Sequence, residues 1–147
     1  MAHVVAINRS EKKGIPKAAI PEGHFVVGLG LEGDAHAGDW HRQVSLLGTE
    51  SIKKIEAMGM EGLCTGKFAE NLTTEGIVLY ELPVGTQFTA GPCLFEVTQI
   101  GKECHRHCAI YHQVGDCVMP REGIFARVLR GGVIRPGDLI SPLPSPE

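Results

Sequence analysis

Short apolar runs recur every ten residues or so along the chain and are punctuated by glycine and proline, the pattern of a mainly β fold. Strands are predicted at His3–Asn8, Phe25–Leu29, Gln43–Leu47, Asn71–Thr74, Gln87–Thr89, Leu94–Ile100, Ile124–Leu129 and Asp138–Ser141. Within Ile124–Leu129, strict alternation puts Phe125, Arg127 and Leu129 on one face and Ile124, Ala126 and Val128 on the other. One helix breaks the β pattern. Thr49 caps it, Glu50 suits its positive end, Ile52, Ile55 and Met58 recur at three-residue steps, and Gly59 ends it. Arg9–Pro21 is polar and reads as a long exposed loop, and the proline-rich residues 142–147 read as a flexible tail. Residues 1–141 are expected to form a single domain, since a chain of 147 residues buries roughly 68% of its unfolded surface without staples.

The candidate chemistry is concentrated between Gly101 and Cys117, which hold three of the five cysteines and three of the seven histidines. This stretch lacks strand alternation and reads as a loop or a single helical turn. Thiolate is the reactive form of cysteine, and nearby cations stabilise it. Cys104, Cys108 and Cys117 lie among Lys102, Arg106 and Arg121, so they are candidate sulfur nucleophiles or soft-metal ligands. Their spacing matches no standard zinc or iron–sulfur pattern, though a zinc-binding thiol sensor stays among the readings. Cys64 and Cys93 sit in more apolar surroundings and read as small buried side chains.

Charge sharpens this picture. The chain carries a net −3, yet residues 101–135 hold six Lys or Arg against three acids, which is +3 locally and leaves −6 elsewhere. A cationic patch on an acidic protein suits a small anionic ligand and argues against general nucleic-acid binding. The N-terminus shows no secretory pattern and no apolar run is long enough to span a bilayer, so a cytoplasmic location with reduced thiols and no membrane partner is expected.

A second constellation, Gly30–Arg42, packs acids, two histidines and an arginine among glycines, the composition of a loop whose backbone amides approach a ligand. Asp34 and His36 either contribute to a ligand site or fix a tight turn. Arg42 is an anion ligand or one half of a buried pair. Asn71 either presents its amide to a ligand or caps a turn through its own backbone. Arg127 is an inward anion ligand or one half of a buried structural pair.

Taken in order, Gly33-Asp-Ala-His36, Gln43-Val-Ser-Leu-Leu47, Phe68-Ala-Glu-Asn-Leu72, Arg106-His-Cys108 and the closing run from Gly123 to Asp138 resemble the MOSC domain, the C-terminal domain type of molybdenum cofactor sulfurases. The resemblance spans about Gly28 to Ile140. It implies a MOSC-type β-barrel with one or two short helices. It also implies a functional cysteine, here Cys108, that carries sulfane sulfur as a persulfide or ligates the molybdenum of a molybdopterin cofactor. Asp34, His36, Arg42, Asn71, Lys102, Arg106, Arg121 and Arg127 are then the expected cofactor contacts, with Cys104 and Cys117 as additional thiols. His107 stands where family members often have proline. The implied activities are sulfur carriage in molybdenum cofactor handling, or molybdenum-dependent reduction of N-hydroxylated compounds with a partner electron donor. Pyridoxal phosphate chemistry would belong to a separate cysteine desulfurase, because no such domain is attached.

Overall fold

The computed structural model describes residues 2–11, 18–35, 37–40, 43–57, 70–100 and 123–143, with the backbone alone at 54–57. Eight strands form one sheet in the order β11-β7-β8-β9-β5-β6-β1-β2, and a smaller sheet runs β10-β3-β4. The strands are β1 His3–Arg9, β2 Ala18–Ile20, β3 Gly23–Val26, β4 Gly30–Leu31, β5 Val44–Gly48, β6 Leu72–Glu75, β7 Gln87–Ala90, β8 Cys93–Ile100, β9 Ile124–Arg130, β10 Gly132–Ile134 and β11 Ile140–Pro142; helix α1 is Thr49–Ala57. The fold is mainly β, as the punctuated apolar pattern requires.

The core is filled from several strands at once. Val4, Ile7, Val44, Leu46, Leu72, Phe88, Phe95 and Ile124 are fully buried in one cluster. Phe95 stacks on its cross-strand partner Phe88 at 5.4 Å and meets Phe25 of the smaller sheet edge-on at 5.5 Å, so aromatic contacts join the two sheets. Alternation on β9 holds at its centre, where Ala126 and Val128 point into the core and Arg127 between them is exposed, while Phe125, on the Arg127 face by period, is buried.

Three features depart from the sequence-based expectations. Arg9–Pro21 is not one loop, because β1 runs through Arg9 and Ala18–Ile20 pairs with it as β2, in the register Ile7↔Ile20 and Arg9↔Ala18. An edge strand is held by backbone hydrogen bonds, and three residues, Ala-Ala-Ile, are too short to show an alternation beside the polar residues that precede them. Next, β5 and β6 are parallel with α1 between them in the chain, a βαβ-like crossover where the punctuated pattern predicted no parallel unit. All five residues of β5 are buried, the signature of a strand covered on both faces. Finally, Phe25–Leu29 is strand only to Val26, after which Gly28 turns the chain at φ 76°.

No closed barrel is found among the described residues. The outer edge of β1 is nevertheless shared: its second half pairs with β2, while its first residues bond the segment before β11, Val4 N–H donating to Asp138 O at 2.8 Å and Gly137 N–H to Val4 O at 2.7 Å.

Candidate functional site

The cysteine segment is rooted on the longest strand pair. β8 and β9 are antiparallel and end together at the register Ile100↔Ile124, so residues 101–122 leave and rejoin the sheet side by side. Lys102, Cys104, Arg106, Cys108, Cys117 and Arg121 belong to that segment and lie outside the described residues, as do His36, Arg42 and Cys64.

The outer face of the same two strands forms the wall of an open cleft of about 520 Å³. Glu96 and Thr98 of β8 and Arg127 and Leu129 of β9 line it, Gln43 closes one side, and Asp39 and Trp40 come from the glycine-rich loop. Residues of the loop Gly30–Arg42 and of the two strands that flank the cysteine segment, far apart in sequence, thus line one cleft. A register shift between Val97 and Gln99 twists β8 where the cleft meets the end of the hairpin.

The loop is pinned at several points. Asp34 is buried and its Oδ1 accepts the Ser10 N–H at 3.1 Å, while Ala35 N–H donates to Ser10 O at 2.7 Å and Gly38 N–H to Leu29 O at 2.7 Å. Asp34 therefore takes part in fixing the loop's turn. Gln43 reaches across to β9, where its Oε1 accepts the Val128 N–H at 3.0 Å.

Asn71 is fully buried beneath this region. Its Oδ1 accepts from the backbone N–H and hydroxyl of Ser45, at 3.0 and 3.2 Å, and its Nδ2 donates to Asn8 O at 3.2 Å. The side chain ties β5 to β1 across the strand it precedes, rather than capping its own turn. Beside it, Asn8 Nδ2 donates to Thr73 Oγ1 at 2.9 Å and Thr73 donates onward to the fully buried Glu70 at 2.7 Å, extending a polar layer through the sheet.

Arg127 faces outward into the cleft and is held by Glu96, with Nε at 2.8 Å and Nη2 at 2.6 Å from the same carboxylate oxygen. The sequence left Arg127 as an inward ligand or a buried pair; it is paired, but on the outer face of the sheet, with its side chain 51% exposed. Glu96 was not singled out in the sequence, although period-two alternation with Thr98 along β8 puts it on the same outward face. Trp40 carried no motif and is recognised only from its place on the cleft wall. Among the described residues no three His, Cys, Asp or Glu side chains converge as a metal site.

Cys93, the first residue of β8, is fully buried. Burial pushes its thiol up from 9.0 to about 11, partly opposed by Arg130 and reinforced by Asp138. In the folded chain at pH 8 it should resist alkylation and become labelled only on unfolding, which peptide mass mapping would show. Its proton is held more tightly in the folded state, so the thiol is neutral for stability below about pH 9 and destabilising as pH rises from there toward 11.

The family model of the MOSC domain matches residues 33–141, and the chain belongs to that family, one associated with molybdenum cofactor-related proteins. Among solved structures it is similar to the YuaD protein from Bacillus subtilis, at TM-score 0.80 and 18% identity over 97% of this chain and 96% of the other. YiiM from Geobacillus stearothermophilus gives TM-score 0.75 and 22% identity, covering 98% of this chain and 76% of that one. YiiM from Escherichia coli gives 0.72 and 18%, covering 100% and 72%. No curated protein sequence matches the chain. No helix among the described residues is long and apolar enough to cross a membrane.

Proposed function

We propose that this chain acts in molybdenum cofactor handling through the thiol of Cys108, as a carrier of sulfane sulfur. The observation that carries the reading is the convergence of the glycine-rich loop and the β8–β9 hairpin on one open cleft, in a chain of the MOSC family whose Arg106-His-Cys108 lies on the segment between those two strands. Cysteine in cationic surroundings has the lowered pKa that a sulfur nucleophile needs, and Lys102, Arg106 and Arg121 lie close to Cys108 in sequence.

The loading step balances without an external oxidant. The Cys108 thiolate attacks the outer sulfur of a persulfide on a partner such as a cysteine desulfurase, the partner's S–S bond breaks, and the partner leaves as a thiolate. Cys108 keeps the transferred sulfur as its own persulfide, and the proton it gave up balances the one taken up by the partner's departing thiolate. Pyridoxal phosphate chemistry stays on the partner.

The described wall of the cleft does not fit an anionic cofactor by itself. Its one guanidinium, Arg127, is already neutralised by Glu96, and Asp39 leaves the described lining net negative. A phosphate or dithiolene would need its positive charge from Arg42, Lys102, Arg106 and Arg121. We also read the sheet as the family's barrel, because the bonds of β1 to residues 137 and 138 bring the two ends of the eight-stranded ladder together.

Anaerobic incubation with a cysteine desulfurase and cysteine, followed by alkylation and peptide mass mapping, tests the carrier. One added sulfur is expected on the Cys108 peptide of the wild type, and none anywhere in Cys108→Ala. Sulfur loaded equally well by Cys108→Ala would sink the proposal.

A further inference from the structure

We infer that the cleft on the outer face of β8 and β9 binds a small organic cation with an apolar body, an aryl or alkyl ammonium, seated on the Trp40 indole with its charge answered by Asp39. The inference stands apart from the sulfur chemistry, since it uses only the described wall and needs no thiol.

Size comes first. About 520 Å³ lies within the range of sites for small organic molecules. The rim is unusually apolar for a surface: Val27 is 58% exposed, Val84 62% and Trp40 39%, and all three line the cleft. Isolated apolar side chains on a surface are ordinary, but three around one concavity offer a ligand's hydrocarbon portion something to cover.

Charge then selects the sign of the ligand. Arg127 is the only cation of the described lining, and Glu96 holds it through two contacts of 2.8 and 2.6 Å. An incoming anion would have to break that pair and would still meet Asp39. A cation meets the opposite situation, since the carboxylate of Asp39 has no cation to balance it within the described lining. An indole face is also the best aromatic surface for an ammonium group.

Trp40 is the only tryptophan in the chain, so its fluorescence reports directly on the cleft. Benzylammonium, benzyl alcohol and benzoate share a ring and differ in charge, and each would be titrated into the full chain at low ionic strength. A saturable fluorescence change is expected with benzylammonium, with benzoate binding at least about tenfold more weakly and benzyl alcohol in between. Added salt should narrow the difference.

Variants fix the direction. Arg127→Gln removes the neutralising cation and should tighten benzylammonium by about threefold or more, while Asp39→Asn and Glu96→Gln should each weaken it by a similar factor. Damage to the fold would weaken binding in all three, so the gain in Arg127→Gln separates an electrostatic site from a disturbed one. Cys108→Ala should bind benzylammonium as the wild type does, whichever way the sulfur-loading experiment turns out. Benzoate binding as tightly as benzylammonium, Arg127→Gln weakening the cation, or no saturable binding by fluorescence and calorimetry would each overturn the inference.

Discussion

Asn71→Ala should destabilise the chain by about 3–5 kcal/mol, because it leaves two buried backbone groups short of a partner and removes volume from a packed layer. Those groups are the Ser45 N–H and the Asn8 carbonyl, both bonded to the Asn71 amide at 3.0 and 3.2 Å. The Asn71 side chain has no exposure, so water cannot replace these bonds cheaply. At this chain length each kcal/mol is worth roughly 3–4 °C, which puts the expected drop in melting temperature at about 10 °C or more. Ser45→Ala keeps both backbone partners and loses a hydroxyl that donates to Asn71 Oδ1 at 3.2 Å and accepts the Asn71 N–H at 3.1 Å, an amide that still has the Ser45 carbonyl at 2.8 Å, so it should cost about 1 kcal/mol. Thermal and urea unfolding of the two variants would measure the contrast, and equal effects would show that the Asn71 amide does not bind β5 to β1 as described.

Gly30→Ala is expected to have a comparable effect by a different route. Gly30 has φ 108°, a conformation reserved almost wholly for glycine, and a Cβ there would stand 2.5 Å from the backbone oxygen of Gln43. Gln43 cannot yield freely, since its side chain is bonded to β9 through the Val128 N–H. Conformational cost and forced displacement together come to about 3–5 kcal/mol. Gly28→Ala separates the two contributions. Gly28 also has positive φ, at 76°, but nothing lies within 4 Å of its added Cβ, so only the backbone cost of about 1–2 kcal/mol remains. Gly30→Ala should also shift the emission of Trp40, because moving Gln43 disturbs the cleft that both residues line. Melting curves for both variants with Trp40 emission spectra would decide, and a Gly30→Ala protein as stable as Gly28→Ala would mean the backbone around Gln43 gives way.

Several elements were legible in the sequence because their physics is local. Alternation along Leu94–Ile100 and Ile124–Leu129 set which side chains of β8 and β9 face the core, and Thr49 with the spacing of Ile52 marked the start of α1. Motif order carried the family, since the matched residues 33–141 contain the glycine-rich loop from Gly33 on, the Phe68–Leu72 motif, the cysteine segment and the closing glycine-rich run.

Other features depend on which strands become neighbours. Pairing of Ala18–Ile20 with β1 is a backbone event that side-chain pattern does not encode. The parallel β5–β6 pair arises from a crossover, and burial of both β5 faces follows from what packs on them rather than from its five residues alone. Asn71 illustrates the limit most directly: its sequence allows a ligand contact or a local cap, and only the positions of Ser45 and Asn8 across the sheet turn it into a link between strands.

The sequence by itself determined that this is a mainly β member of the MOSC family with three of its five cysteines gathered on one segment, because alternation, turn residues and ordered motifs act over a few residues at a time. Tertiary structure alone decided that Asp39 and Trp40 share a cleft with Glu96 and Arg127, and that Arg127 is neutralised there. Electrostatic sign at a site is a sum over groups brought together by folding, and no single stretch of chain contains that sum.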